Sequence, residues 1–184
     1  MEETGAPSQG EPRVQVNEQI VRANLENLKL EQNLALGIIG GGVGGLIGAT
    51  IWAAITYFTE YQIGWLAIGI GFLVGLGVGK LGKGIDKIYG IVGGIIALLS
   101  VILGNFLVYI GYLAKYFEIG YLQMLAEFNY SLTFELFKEM FSVMDLLSYV
   151  IAIYAGYRYS FRKVTQAQLM EGAVIKTGPG PTTV

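Results

Sequence analysis

Six glycines in a single apolar stretch constrain this chain more than any other feature. Gly37, Gly40, Gly41, Gly44, Gly45 and Gly48 fall at offsets of 0, 3, 4, 7, 8 and 11 residues, positions that share one face of a helix with 3.6 residues per turn. Glycine costs about 1 kcal/mol relative to alanine inside a water-exposed helix, so such a stripe argues against a soluble helix. In lipid the stripe makes sense, because water does not drive helices together there and small residues let two backbones approach closely. A second apolar segment repeats the pattern with Gly64, Gly71, Gly75 and Gly79. Two uses fit these glycine zippers: packing of neighbouring antiparallel helices within one chain, or assembly of several chains around a pore. A short connecting turn favours the first.

Composition supports the membrane reading. The chain has 184 residues, 53% of them apolar and only 14% charged, well below the roughly 25% charge of soluble domains. A net charge of −2 gives no electrostatic case for nucleic acid. The absence of cysteine and histidine removes thiolate nucleophiles, the usual zinc and haem ligands and the commonest general base. No cofactor or metal is expected. Gly77, Gly79 and Gly82 match a G-x-G-x-x-G spacing, but a dinucleotide loop must follow a strand and open a helix. Here the spacing ends an apolar segment, and no nucleotide is expected.

Residues 1–13 carry Gly5, Pro7, Gly10 and Pro12 and are expected to be disordered. The acidic, polar start predicts no cleavable signal peptide. Residues 14–33 predict a cytoplasmic amphipathic helix in which Val16, Ile20, Ala23, Asn27, Leu30 and Leu34 follow a heptad-like spacing. Its sharper reading is a short coiled coil with Asn27 setting register; its plainer one is a helix lying on the chain's own membrane domain or on lipid. Residues 34–160 are expected to form a four-helix transmembrane domain with spans at about 34–58, 60–79, 88–113 and 143–160, set against the roughly 20 residues a bilayer core requires. Thr59 to Gln62 reads as a capping box for the second span and Ser142 to Asp145 as one for the fourth, each with a flanking hydrophobic staple. Between spans three and four, residues 114–142 predict an interfacial helix. Its apolar face would hold Leu132, Leu136, Phe137, Met140, Phe141 and Met144, and its polar face Glu135, Lys138, Glu139 and Ser142. The alternative is a lid over the bundle. Residues 161–184 read as a flexible tail.

Basic residues set the orientation. With the N-terminus cytoplasmic, the inner segments hold ten lysines and arginines, including Lys80, Lys83 and Lys87, against only Lys115 and Lys138 outside. Both termini are therefore expected in the cytoplasm. Trp52, Tyr57, Tyr61 and Trp65 would mark the outer interface, and Tyr157, Tyr159 and Phe161 the inner one.

Functional candidates are few. The interiors of the first three spans contain no Asp, Glu, Lys or Arg, which argues against an ion-coupled transporter. Asp145 is accounted for by its capping box, and Glu60 by the preference for acid at a helix start. Ser100 and Asn105 are the polar residues inside the third span; they read as packing hydrogen bonds or, in a channel, as pore lining. Glu118, Glu127, Glu135 and Glu139 read as a solvated acidic face rather than a calcium cage. Lys80, Lys83 and Lys87 form a basic turn suited to anionic lipid headgroups.

Two stretches, Gly64 to Gly75 and Asp145 to Ser160, resemble parts of small bacterial four-helix integral membrane proteins of unassigned function. The resemblance spans about residues 60–160. It implies a bacterial cytoplasmic membrane location and transfers no site. The functional expectation is a non-enzymatic scaffold or accessory subunit, assembling with itself or with other membrane proteins through the glycine faces Gly37, Gly40, Gly41, Gly44, Gly45, Gly48, Gly71, Gly75 and Gly79. The alternative is a small oligomeric channel or solute pathway.

Overall fold

A computed structural model describes residues 13–61, 64–129, 131, 135 and 142–177. The chain divides into two compact units, residues 32–162 and residues 1–31 together with 163–184.

The larger unit is a helical bundle. Its principal helices are α2 (Leu34–Thr59), α3 (Leu66–Gly82), α4 (Lys87–Tyr116) and α6 (Val143–Tyr159), with the short α5 (Tyr121–Glu127) against α4. Each of α2 and α6 packs on both α3 and α4, and α3 also touches α4 across the middle. The facing residues fix the directions. Gly40 meets Gly77 while Gly48 meets Ile70, so α2 and α3 are antiparallel; Gly71 meets Ala155 and Gly75 meets Tyr159, so α3 and α6 are parallel.

Among the described residues, only α2 and α4 are long and apolar enough to cross a membrane by length and composition, rather than the four helices expected. Helices α3 and α6 have 17 residues each, about 25 Å at 1.5 Å per residue. The second helix starts at Leu66 rather than near 60, and the capping box expected at Thr59 does not form. Thr59 instead ends α2, and Glu60 follows it as a left-handed C-cap with φ 58°. Trp65 precedes α3 without a side-chain cap. The box at Ser142 and Asp145 does form and starts α6.

The core is built from small residues. Ala49, Ala53, Ala67, Ala97 and Ala152 are buried alongside Val74, Val78 and Val101. The large aliphatics point outward: Ile39, Leu46, Ile95, Leu99, Leu147 and Val150 are all exposed. Ile70 and Ile110 are buried, as is Trp52, the largest fully buried side chain among the described residues at 1% exposure, which corrects its placement among interface aromatics. Tyr61 and Trp65 are exposed as expected.

The turn between α3 and α4 is latched by the backbone around it. Asn33 N donates to Gly82 O at 2.9 Å, and Arg162 N donates to Gly84 O at 2.7 Å. Gln32 Oε1 accepts from Ile85 N and Asp86 N at 2.7 and 3.0 Å. Lys80, Lys83 and Lys87 around this turn are exposed.

In the smaller unit, β1 (Arg13–Val16) pairs antiparallel with β2 (Val174–Thr177). Helix α1 (Glu18–Leu30) packs on α7 (Gln166–Met170). Asn24 Nδ2 donates to Leu169 O and Glu171 O, both at 3.0 Å. The reading of 161–184 as a flexible tail is thus corrected as far as Thr177. Ala23, Asn27 and Leu30 are exposed, whereas Ile20, Val21, Asn24, Leu25 and Leu28 are half-buried, because the chain's own C-terminal segment supplies the partner. Within 114–142, helix α4 runs on to Tyr116 and α5 follows; the expected amphipathic face at 132–141 lies largely outside the described residues.

Candidate functional site

Two of the buried polar groups, Asn105 and Asp145, meet in a joint between three helices. Trp52 on α2 donates its indole N–H to Asn105 Oδ1 on α4 at 3.1 Å. Asn105 Nδ2 donates to Asp145 Oδ1 on α6 at 2.9 Å. It also lies 3.4 Å from the Tyr149 hydroxyl. Asp145 Oδ2 accepts from Ser142 N at 2.9 Å and from Ser142 Oγ at 3.0 Å. A carboxylate at 1% exposure therefore has neutral donors on both oxygens and sits in the first turn of α6, where the helix dipole favours negative charge.

Each link has a local cause. The capping box fixes the Asp145 rotamer by tying it to Ser142. Gly104 gives Trp52 room: a Cβ there would lie 3.1 Å from the indole ring. Asn105 uses both ends of its amide, one toward α2 and one toward α6, and so joins three helices through one side chain. Sequence reasoning singled out Asn105 but explained Asp145 by its cap alone, and it missed Trp52. Asp145 is both a cap and a buried partner. The signal available was its position four residues before Tyr149 on an otherwise apolar face, in a segment with no other acid.

The second polar candidate, Ser100, is not part of this joint. Its hydroxyl donates to Ile96 O at 2.7 Å and packs against Gly45. Thr56, one turn beyond Trp52, has a buried hydroxyl with no hydrogen-bond partner among the described residues.

The glycine candidates are engaged within the chain. A Cβ on Gly40 would come 2.5 Å from Gly77 O, and one on Gly44 2.5 Å from Leu73 O. On Gly41 it would meet Val78, on Gly45 Ser100, and on Gly48 Ile70 at 3.3 Å. Gly37 faces Gly82 and Tyr89. On α3, Gly71 faces Ala155, Gly75 faces Tyr159, and Gly79 faces Ser160. Gly77, Gly79 and Gly82 thus lie in the last turns of a packed helix rather than in a strand-to-helix loop.

At the other end of α2, Lys115 donates to Glu60 at 2.9 Å, and its ammonium lies 4.6 Å from the centre of the Tyr57 ring. The hydrogen bond from Lys115, together with its charge, holds the Glu60 carboxyl below its ordinary pKa. Glu60 therefore caps and pairs at the end of α2 instead of opening α3. Among the described residues, no cluster of acids is arranged to hold a metal ion.

Geometry of this kind defines a class, a helical bundle closed by small residues around a single buried polar joint. Comparison with family models, curated proteins and solved structures finds no match to the chain.

Proposed function

We propose that this chain is a non-enzymatic integral membrane subunit, a scaffold or accessory protein that spans the bilayer four times with both termini in the cytoplasm. The observation that carries the reading is the inverted distribution of side-chain size. Alanine, glycine and serine fill the bundle while isoleucine, leucine and phenylalanine cover it. Soluble domains rarely expose such continuous apolar surface, and small residues at helix contacts are the expected solution in lipid. The 17 residues of α3 and α6 lie at the lower limit for a span of about 30 Å. Local bilayer thinning and interfacial aromatics accommodate the difference. The basic turn at Lys80, Lys83 and Lys87 and the positive-inside bias support the orientation. A bacterial cytoplasmic membrane is the location that the sequence resemblance implies.

The glycine faces build the subunit's own bundle, so self-assembly or a partner would use the apolar outer faces of α2, α4 and α6. The Trp52–Asn105–Asp145 joint ties three helices together and engages the side chain that a channel would need as lining. The test is to extract the full chain into native nanodiscs, measure the mass of the complex and identify every co-purifying chain. A stoichiometric partner or a defined homo-oligomer supports the reading. A free monomer, or ion flux through reconstituted liposomes, overturns it.

A further inference from the structure

A cleft of about 180 Å³ opens on the side of the bundle between α2, α4 and α5, lined by Thr50, Ala53, Ala54, Tyr57, Leu107 and Tyr121. Its walls are apolar because each polar wall group outside Tyr57 is turned elsewhere. Thr50 Oγ1 donates to Leu46 O at 2.9 Å, and Tyr121 donates its hydroxyl proton to Leu107 O at 3.1 Å. The volume compares with the apolar cavity of about 150 Å³ that takes a benzene ring, and so suits a short length of hydrocarbon chain. The cleft exists because α2 presents Thr50, Ala53 and Ala54 where α4 presents Leu107. Gly111 lets the Tyr57 ring lie flat against α4, since a Cβ there would come 2.7 Å from it.

An ion pair stands beside the Tyr57 wall, the Lys115 ammonium with the Glu60 carboxylate 2.9 Å away. Lys115 lies over the Tyr57 ring that forms one wall and is partly exposed. An ammonium has three donors, and Glu60 takes one. Apolar walls with a lysine at the rim match a lipid whose chain enters sideways while its phosphate meets the ammonium at the interface.

We infer that this cleft binds one anionic glycerophospholipid of the surrounding bilayer, with an acyl chain between Ala54 and Leu107 and its phosphate at Lys115. The inference rests on the membrane reading above, and its test separates the two. The full chain is first floated with vesicles of phosphatidylglycerol and phosphatidylcholine; failure to float overturns the membrane reading itself. Floated protein is then released in mild detergent and examined by native mass spectrometry.

One retained phosphatidylglycerol per chain is expected, reduced about tenfold by Ala54→Trp, which fills the cleft, and by Lys115→Gln, which removes the charge. Ile95→Trp, on an exposed position of α4 outside the cleft, should leave retention unchanged. Equal retention in all variants would overturn the site. Loss in Ala54→Trp with full retention in Lys115→Gln, or equal retention of phosphatidylcholine, would overturn the anionic assignment. Melting temperatures recorded alongside show whether any loss reflects unfolding instead.

Discussion

Two seams of the bundle differ in what they add to close glycine packing. Between α2 and α3 the chain removes side chains altogether, so that Gly40 and Gly77 bring backbone against backbone. Between α4 and its neighbours α2 and α6, where Gly93 and Gly156 also bring backbones close, it adds a side-chain joint through Trp52, Asn105 and Asp145. The first seam gains dispersion contact and leaves no room for a side chain at Gly40, Gly44 or Gly77. The second gains direction from a few hydrogen bonds, which match specific residues and so fix register. Close packing and a polar joint together narrow the arrangements of four helices more than either alone.

The largest effect should come from the backbone seam. Gly40→Leu forces a side chain into Gly77 O and should destabilise by about 3 kcal/mol or prevent folding. Gly42→Leu, one residue from the stripe with nothing within 4 Å of its Cβ, should change little. Thermal or denaturant unfolding in detergent reads both, and equal losses would show that helix propensity, not contact, governs the seam.

Next comes the acid of the polar joint. Asp145→Ala leaves the Asn105 and Ser142 donors without an acceptor and should cost about 1–3 kcal/mol. Asp145→Asn should recover part of that loss. Trp52→Phe keeps the ring and deletes one hydrogen bond, for which membrane bundles show about 0.6 kcal/mol on average. A double-mutant cycle of Trp52→Phe with Asp145→Asn tests whether Asn105 transmits coupling between them. Strict additivity would reduce the joint to two independent pairs. Thr56→Val removes the unpartnered hydroxyl and should be neutral or stabilising by about 1 kcal/mol; clear destabilisation would indicate a bound water at that point.

The smallest effect belongs to Glu60 and Lys115 at the bundle end. Because pairing lowers the Glu60 pKa, its contribution is present above the unfolded carboxylate value and fades as pH falls through the folded one. Glu60→Gln should flatten this acid-range component of the melting profile and leave neutral-pH stability nearly unchanged. An unaltered acid limb would mean that solvent screens the pair fully.

Much of the bundle was legible in the sequence because its signals are local. The 3.6-residue glycine period marks α2, hydropathy marks both ends of α4, and the Ser142 box starts α6 where expected. Thr59 misled because the same residue types that cap a helix start also occur at a helix end, and only the backbone turn at Glu60 decides between them. Trp52 misled because tryptophan near a span end resembles an interface anchor until its partner on α4 is known. That partner lies 53 residues away, beyond any periodic pattern. On α1 the heptad spacing does not name the face that packs within the chain. Several faces of a short helix are apolar, and the one in use was chosen by α7.

The pairing of β1 with β2 has a temporal side. Asn24 bonds to carbonyls on a segment up to 147 residues downstream, and β1 finds its strand partner only there. Synthesis at about 5–20 residues per second therefore leaves the early segment single for many seconds while the intervening helices are being made. Throughout that interval its unpaired strand edge is open to a targeting factor, a chaperone or a neighbouring chain. A ribosome that stops short of Val174 would release a product whose leading end never closes, which gives quality control a physical mark of incompleteness.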